Sequence, residues 1–517
     1  MGAFPIGFMA IGVVATALVS AMLGEKAPAK DDVTGAVKVM AKVVANVVVN
    51  ATVRLASIAA KTVAVMISAI VSGVSGVSGV SGVSGVGGIS GLAGDLSGKA
   101  RCCGTPARIL RTSCVAVLAV LALPTSAQTL VLVSIDGFRH DYLDIHDAPN
   151  LRAIAEQGFR VRKLETIYPP NTFPGHLSLI TGLKPEQHGI VDNYFCHASR
   201  GECYRMGGGA KDATWLHGMP LWNLVEAHGH KAATYFWPES NAQWGGQSPS
   251  YFFNYSKHAP YPERVDQVID WLHLPSPSRP KLVTLYFSAV DSAGHHFGPL
   301  SPQTAEAVSR VDELIGELWR RMQALDMADG ALDELNLMVV SDHGMAEIRG
   351  ESAILITDLP SAESFELSKS HSRLKYYWRE QPSASAVSSD SVAAFIDALR
   401  QSAQGRFDVL DRDQALAMGG FDHDTVPAVT LIARPPHFFA SERPAEGLVE
   451  GSHGYPLDVA DMAAFAVGAG PVFQQGVTLN SAHQLDVYPV AVKALGLTVI
   501  QPVESDGGHL RRVLIVE

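Results

Sequence analysis

The stretch TLVLVSID, residues 129–136, is an apolar, largely β-branched run that stops on a carboxylate. A run without polar alternation is the pattern of a strand buried on both faces, as in a parallel sheet. The pattern returns in KLVTLYFSAVD (281–291) and LNLMVVSDHG (335–344), and AAFAVGAG (463–470) reads as a fourth strand. Between them, APNLRAIAEQG, PLWNLVEAHGH, ERVDQVIDWLHL and TAEAVSRVDELIGELWRRMQAL carry helical periodicity. Strand–helix alternation predicts an α/β fold with a largely parallel central sheet flanked by helices.

Each of the first three strands is read to its closing acid: Asp136, Asp291 and Asp342. Ligands of open α/β sheets collect outside the carboxyl ends of the strands, so three aspartates there face one crevice. Asp is also a common strand-stopping turn residue, an explanation that suffices for one of them and weakens for three. Histidines accompany the acids. His295 follows Asp291 by four residues, His343 adjoins Asp342, and His453 sits between glycines in GSHGY. Carboxylate oxygen and imidazole nitrogen are the donors that zinc accepts outside cysteine sites. His140, His146, His188, His217, His228 and His296 show no such pairing and are read as structural or left unassigned.

The block YPPNTFPGHLSLITG (168–182) places Thr172 ahead of an apolar helical run. Thr is a favoured N-cap, which accounts for it without chemistry. A threonine hydroxyl becomes a nucleophile only when a base or a metal takes its proton, and the acid–histidine set offers that metal.

Together these residues resemble the nucleotide pyrophosphatase/phosphodiesterase family (type I phosphodiesterases) of the alkaline phosphatase superfamily. LVSIDGFR, NTFPGHLSLITGLKPEQHGIVDN, DSAGHHFGP, SDHGM and GSHGY occur in family order from residue 129 onward. The resemblance implies an alkaline phosphatase-like fold and two Zn2+ ions. One would be held by Asp291, His295 and His453, the other by Asp136, Thr172, Asp342 and His343. It also implies Thr172 as the nucleophile that becomes a phosphothreonine, and Asn193 as a donor to a phosphoryl oxygen. Phe173 and Tyr255 would stack on a nucleobase. The implied reaction is hydrolysis of nucleoside triphosphate to monophosphate and pyrophosphate, with a choline-phosphate type phospholipid diesterase as the alternative. Where the family has a Lys before the nucleophile this chain has Asn171, and residues 345–450 depart from the pattern and read as an irregular insertion. The CxPxR motif of sulfatases is absent, and residues 163–199 contain no Arg of the kind that a monoesterase would place by its nucleophile. A secreted binding module with a structural metal pair is the alternative of another class; it has no use for Thr172.

Composition agrees with a small-molecule substrate. Residues 1–127 hold 10 of the 40 basic and 4 of the 51 acidic side chains, leaving 30 and 47 in residues 128–517, a formal charge of −17. Such a body repels nucleic-acid polymers, and no basic run offsets it; an anionic substrate must be drawn by local cations. Residues 1–106 form a low-complexity, apolar extension with the repeat VSGVSGVSGVSGV. Residues 107–127 have the basic start, short apolar centre and small-residue end of a signal peptide. The expected product is a secreted or periplasmic monomer whose catalytic domain spans 128–517. Retention of the N-terminal apolar segment would make it membrane-anchored instead. Only Cys196 and Cys203 remain beyond residue 127, which suits a disulfide-closed loop in an oxidising compartment. N-terminal sequencing of exported protein is expected to begin near Gln128; a chain that retains the VSG repeat would overturn the signal-peptide reading.

Overall fold

The structure, a computed structural model, describes residues 128–328, 334–379 and 389–515. The expected N-terminal extension and signal peptide lie outside the described residues. An eight-stranded sheet forms the centre. Its strands in chain order are β1 (Thr129–Ile135), β2 (Phe159–Glu165), β3 (Lys231–Tyr235), β4 (Tyr251–Phe252), β5 (Pro280–Phe287), β6 (Leu335–Val340), β7 (Ala464–Ala469) and β8 (Val477–His483). They lie side by side as β8-β2-β7-β6-β1-β5-β3-β4. β1 pairs in parallel with both β5 and β6, whereas β7 runs antiparallel between β6 and β2. The sheet is therefore largely parallel, as the uninterrupted apolar runs predict.

All seven residues of β1 are buried because both of its faces are covered. Leu130 and Leu132 point to one side, toward Leu177, Leu179 and Ile180. These belong to helix α2 (Thr172–Thr181). Val131, Val133 and Ile135 point to the other side. There they meet helices α1 (Pro149–Gln157), α3 (Tyr261–Leu272) and α5 (Pro302–Ala328). Alternate residues of one strand thus feed two cores, the period-2 consequence of the pleat. Each fully buried Leu or Val contributes about 1.5–3 kcal/mol, so the strand that carries Asp136 is held from both sides. Among the described residues, no helix is long and apolar enough to cross a membrane.

The structure corrects two expectations. β5 ends at Phe287, not at Asp291; the chain turns at Ser288 into helix α4 (Ala289–Phe297), and Asp291 sits in its first turn. The apolar sequence SAV continues the strand pattern by eye, but its residues belong to the helix start. Region 345–450 is not irregular. It contains a four-stranded antiparallel sheet of Phe365–Lys369, Arg373–Trp378, Val429–Ala433 and Phe407–Asp411. Helix Ser389–Ala403 shares a separate apolar core with it, through Ile396 and Leu399. The chain leaves for this lobe just after His343 and returns just before His453.

Cys196 and Cys203 face one another across a short antiparallel hairpin, Tyr194–His197 with Glu202–Arg205, and are disulfide-bonded. Thiol labelling of the exported protein under denaturing, non-reducing conditions is expected to find no free cysteine beyond residue 127; two reactive thiols would contradict the pairing.

Candidate metal centre and active site

Asp136 is the first residue after β1, Asp342 the second after β6, and Asp291 stands at the start of α4. Neighbouring parallel strands bring all three to one end of the sheet. Gly137 makes the approach feasible: its φ is +67°, and a Cβ there would come within 3.0 Å of Asp291. Its N–H donates to Asp342 Oδ1 at 3.1 Å. One oxygen of each carboxylate, Asp136 Oδ1, Asp291 Oδ1 and Asp342 Oδ2, is buried and accepts no hydrogen bond.

The histidines close the ring. His343 Nε2 lies 3.4 Å from Asp136 Oδ1 and 3.1 Å from Asp342 Oδ2. Asp291 Oδ1 lies 3.4 Å from His295 Nε2 and 3.8 Å from His453 Nε2. The rings of His343 and His453 stack with centroids 3.7 Å apart. Each imidazole uses Nδ1–H elsewhere: His295 donates to Gly451 O, His343 to Gly344 O, and His453 to Pro170 O and Asn171 Oδ1. Carbonyl oxygens cannot donate, so a neutral ring has its proton on Nδ1 and a lone pair on Nε2. Three such lone pairs then face three unpartnered carboxylate oxygens. Acceptor against acceptor is unfavourable unless a cation lies between them. Outward-facing Nδ1 donors are also the usual outer shell of metal-bound histidine.

Two groups of donor atoms are compact enough for an ion: Asp136, Asp342 and His343, and Asp291, His343 and His453. His343 borders both, while His295 stands at the edge of the second beside Asp291. The residues therefore fit a cation held by oxygen and nitrogen donors.

Charge within the cluster is uneven. Burial raises the Asp136 carboxyl well above its ordinary range, and the charges of Asp342 and Asp291 add to the rise. Burial acts the same way on Asp342, yet protonation of His343 and His176 outweighs it and holds that carboxyl well below the usual range. Asp342 in turn raises the His343 imidazole against its burial, so His343 turns a lone pair to the cluster only where a cation takes the proton's place. Burial drives His453 well down, with His343 and His295 contributing. Adjoining carboxyls pushed in opposite directions mark an anionic cluster that its own side chains do not balance.

Thr172 is the first residue of α2, with Asn171 rather than Thr172 as its N-cap. Its Oγ1 lies 3.3 Å from His343 Nε2, at the edge of the cluster. The Phe173 N–H donates to Asn193 Oδ1 at 2.9 Å, and Asn193 borders the cavity beside Thr172. That cavity, about 690 Å3, is bordered by Asp136, Thr172, Phe173, Asn193 and Tyr255. Tyr255 is 56% exposed and packs edge-on to the buried Phe236 at 5.1 Å. The Tyr286 hydroxyl, kept protonated by burial and by Asp136, donates to Asp136 Oδ2.

Sequence reading missed the supports. His176, one turn after Thr172, donates from Nδ1 to Thr172 O at 2.8 Å, and Nδ1 lies 3.3 Å from Asp342 Oδ2. The i, i+4 spacing of Thr172 and His176 was a visible signal. Asp192 is the other support. It accepts from Asn171 Nδ2 (2.7 Å), the Asn193 N–H (2.7 Å), Arg373 (3.0 Å) and the Lys375 ammonium. Asn171, at the position of the family's lysine, thus links Asp192 to His453. Burial lowers the Lys375 ammonium to about 8 against the pull of Asp192. Arg373 and Lys375 come from the inserted lobe, too far along the chain for local pattern to reveal.

A profile of the type I phosphodiesterase / nucleotide pyrophosphatase family matches residues 130–456. The chain belongs to that family. It is 28% identical over 394 residues to venom phosphodiesterase CdcPDE of Crotalus durissus collilineatus, an alignment covering 74% of this chain and 45% of that protein. Human ectonucleotide pyrophosphatase/phosphodiesterase family member 1 is 29% identical over 394 residues, covering 73% and 41%. Bis(5'-adenosyl)-triphosphatase enpp4 of Xenopus laevis is 27% identical over 378 residues, covering 72% and 80%. The chain spans less than half the length of the venom and human relatives. Among solved structures, an inactive form of murine ectonucleotide pyrophosphatase/phosphodiesterase 5 in complex with AMP aligns with a TM-score of 0.67 at 24% identity. The alignment covers 75% of this chain and all of that one. The two share the alkaline phosphatase-like fold.

Lys375→Met is expected to strand the buried Asp192 charge on fewer partners and to destabilise the protein by roughly 3 kcal/mol. A urea midpoint reads this directly; an unchanged midpoint would show that Lys375 does not hold Asp192.

Proposed function

We propose that this centre binds two zinc ions and hydrolyses phosphodiester and pyrophosphate bonds of nucleotides, nucleoside triphosphate to monophosphate and pyrophosphate, through a phosphothreonine at Thr172. The observation that carries the reading is the convergence of three unpartnered carboxylate oxygens and three histidine Nε2 atoms beside one threonine hydroxyl. Asp291, His295 and His453 would hold one ion; Asp136, Asp342, His343 and Thr172 the other. Such ions, when bound, lower the proton affinity of a coordinated hydroxyl and neutralise charge at phosphorus.

The remaining work falls to the chain. Thr172 Oγ1 forms the bond to phosphorus while the bond to the leaving oxygen breaks on the opposite face, the electron pair going with that oxygen. Water then opens the threonine ester and restores the hydroxyl. Asn193 directs its NH2 at a non-bridging oxygen, positioned in advance by the Phe173 N–H. Phe173 and Tyr255 receive the base, whose π-face needs no particular hydrogen-bond pattern. The expected working place is outside the cytoplasm, supported by the Cys196–Cys203 bond and by secreted venom relatives, and the expected form is a monomer.

Thr172→Ala is expected to abolish turnover of ATP and of an aryl phosphodiester, while Thr172→Ser keeps part of it. Chelation should remove activity and Zn2+ restore it, with elemental analysis finding two ions per chain. Near-wild-type rates for Thr172→Ala would end the covalent mechanism.

Tyr255→Ala is expected to raise KM for ATP roughly 5- to 150-fold, the equivalent of about 1–3 kcal/mol of stacking, and to spare a small aryl diester. Equal losses on both, or faster cleavage of lysophospholipid than of ATP, would favour the lipid-type alternative.

A further inference from the structure

The substrate cavity is not uniform in charge. Among the described residues, Lys257 is the one lysine or arginine on its wall. It is exposed, and no hydrogen bond or ion pair among the described residues occupies its ammonium. Glu239, an acid on the same wall, spends Oε1 on the Tyr204 hydroxyl and the Gly209 N–H. Behind the wall lies a second cation. Arg264 is 1% exposed; it donates from Nη1 to Tyr286 O at 2.6 Å and from Nη2 to Ala259 O at 3.1 Å, while Nε has no partner. Its guanidinium lies over the Tyr261 ring at 4.4 Å and the Phe236 ring at 4.9 Å. Among the described residues no carboxylate pairs with it. A guanidinium keeps its proton in a protein, so a whole positive charge stands uncompensated behind Phe236, Tyr261 and Tyr286, which all border the cavity. Low-dielectric walls screen such a charge little.

Position gives the two cations a role. Thr172 stands beside His343, and in-line displacement sends the leaving oxygen to the far side of phosphorus. That is the side of Asp291 and His295, on α4. In a nucleoside triphosphate the leaving oxygen is the first of the pyrophosphate, so the tail starts beside this helix. Ser288 and Ser292, one turn apart on it, border the cavity and offer hydroxyls. The Tyr261 hydroxyl meets Ser288 Oγ at 3.1 Å, and Lys257 lies four residues ahead of Tyr261. Hydroxyl donors thus lead from the bond that breaks toward the cations.

A second, far cavity, about 650 Å3, lies between the catalytic body and the inserted lobe and also borders His295 and His453. It suits an anionic tail less well. Lys375 there is committed to Asp192 and to Tyr194 O, the Lys369 ammonium donates to Ser441 Oγ at 2.7 Å, and Glu442 and Glu450 share the wall. Two carboxylates beside one remaining lysine repel a polyanion.

We propose that Lys257, with Arg264 behind it, is the specificity-determining cation of this centre: it receives the phosphate tail that leaves, so that nucleotides with a charged tail are selected over nucleotide esters whose leaving group is uncharged. The inference rests on the hydrolase reading above. The reaction is unchanged: pyrophosphate leaves with the bridging oxygen and its electron pair, and water releases the nucleoside monophosphate from Thr172.

The test compares kcat/KM for ATP and for the p-nitrophenyl ester of AMP, which share the nucleoside monophosphate and differ in the charge of what departs. Lys257→Gln is expected to lower the ATP-to-ester ratio about ten-fold, Lys257→Glu to lower it further, and Lys257→Arg to keep it. Added salt should narrow the gap between wild type and Lys257→Gln. Binding gives a readout free of turnover. Thr172→Ala protein, titrated calorimetrically, should take ATP about ten-fold more tightly than AMP, and Lys257→Gln in that background should remove the difference. An active enzyme whose ratio is the same for every Lys257 variant overturns this inference alone, as do equal losses on both substrates. A wild-type enzyme inactive on both overturns the hydrolase reading and this inference with it.

Discussion

Three carboxylates brought together inside a protein repel one another and lose their water, and the rest of the site follows from how that cost is met. Burying an ionised carboxylate without compensation is among the most expensive acts in folding. The sheet imposes it regardless: β1 and β6 are adjacent parallel strands, and the helix after β5 begins where β1 ends. Gly137 brings the backbone closer still. The fold thus creates a concentrated negative charge, and histidines with lone pairs turned inward leave divalent cations as the natural complement. A hydroxyl placed in that setting, as Thr172 is, stands in a field that its own chemistry could not generate.

A second buried charge organises the neighbourhood. Asp192 touches neither the cavity's aromatic wall nor the other carboxylates, but Asn171, Asn193, Arg373 and Lys375 all converge on it. Through Asn171 it orients His453, and through its own chain neighbour it sets Asn193. Hydrogen bonds to a charged group contribute about 1.5–3 kcal/mol each, enough to hold a donor in one rotamer before substrate arrives. The inserted lobe is therefore wired into the geometry of the centre and does more than cover it.

Much of this was legible from the chain because the signals are local. Uninterrupted β-branched runs gave β1, β5 and β6, and the acids behind them gave Asp136 and Asp342. Asp291 was read as a strand-closing acid but lies in the first turn of a helix, since SAV extends an apolar run whether it is strand or helix. His176 was passed over although its i, i+4 spacing from Thr172 is visible, because any residue one turn along a helix meets that spacing. Arg373 and Lys375 act through a tertiary contact some 180 residues from Asp192, which no window of sequence contains. The strands of the lobe are only five or six residues long, and Arg373–Trp378 buries the charged Arg373 and Lys375 inside its run, which masks the strand pattern.

The lobe's point of attachment has a consequence for the history of such a chain. It departs beyond His343 and returns ahead of His453, and those two rings lie stacked at 3.7 Å. An excursion whose ends nearly touch can lengthen, shrink or be exchanged without redirecting the strands that flank it. Residues that line the far cavity, such as Lys369 and Leu448, sit on that excursion, whereas the acids and Thr172 sit on the sheet and the helices packed against it. Variation in the excursion can then reshape that cavity while the acids and Thr172 keep their places.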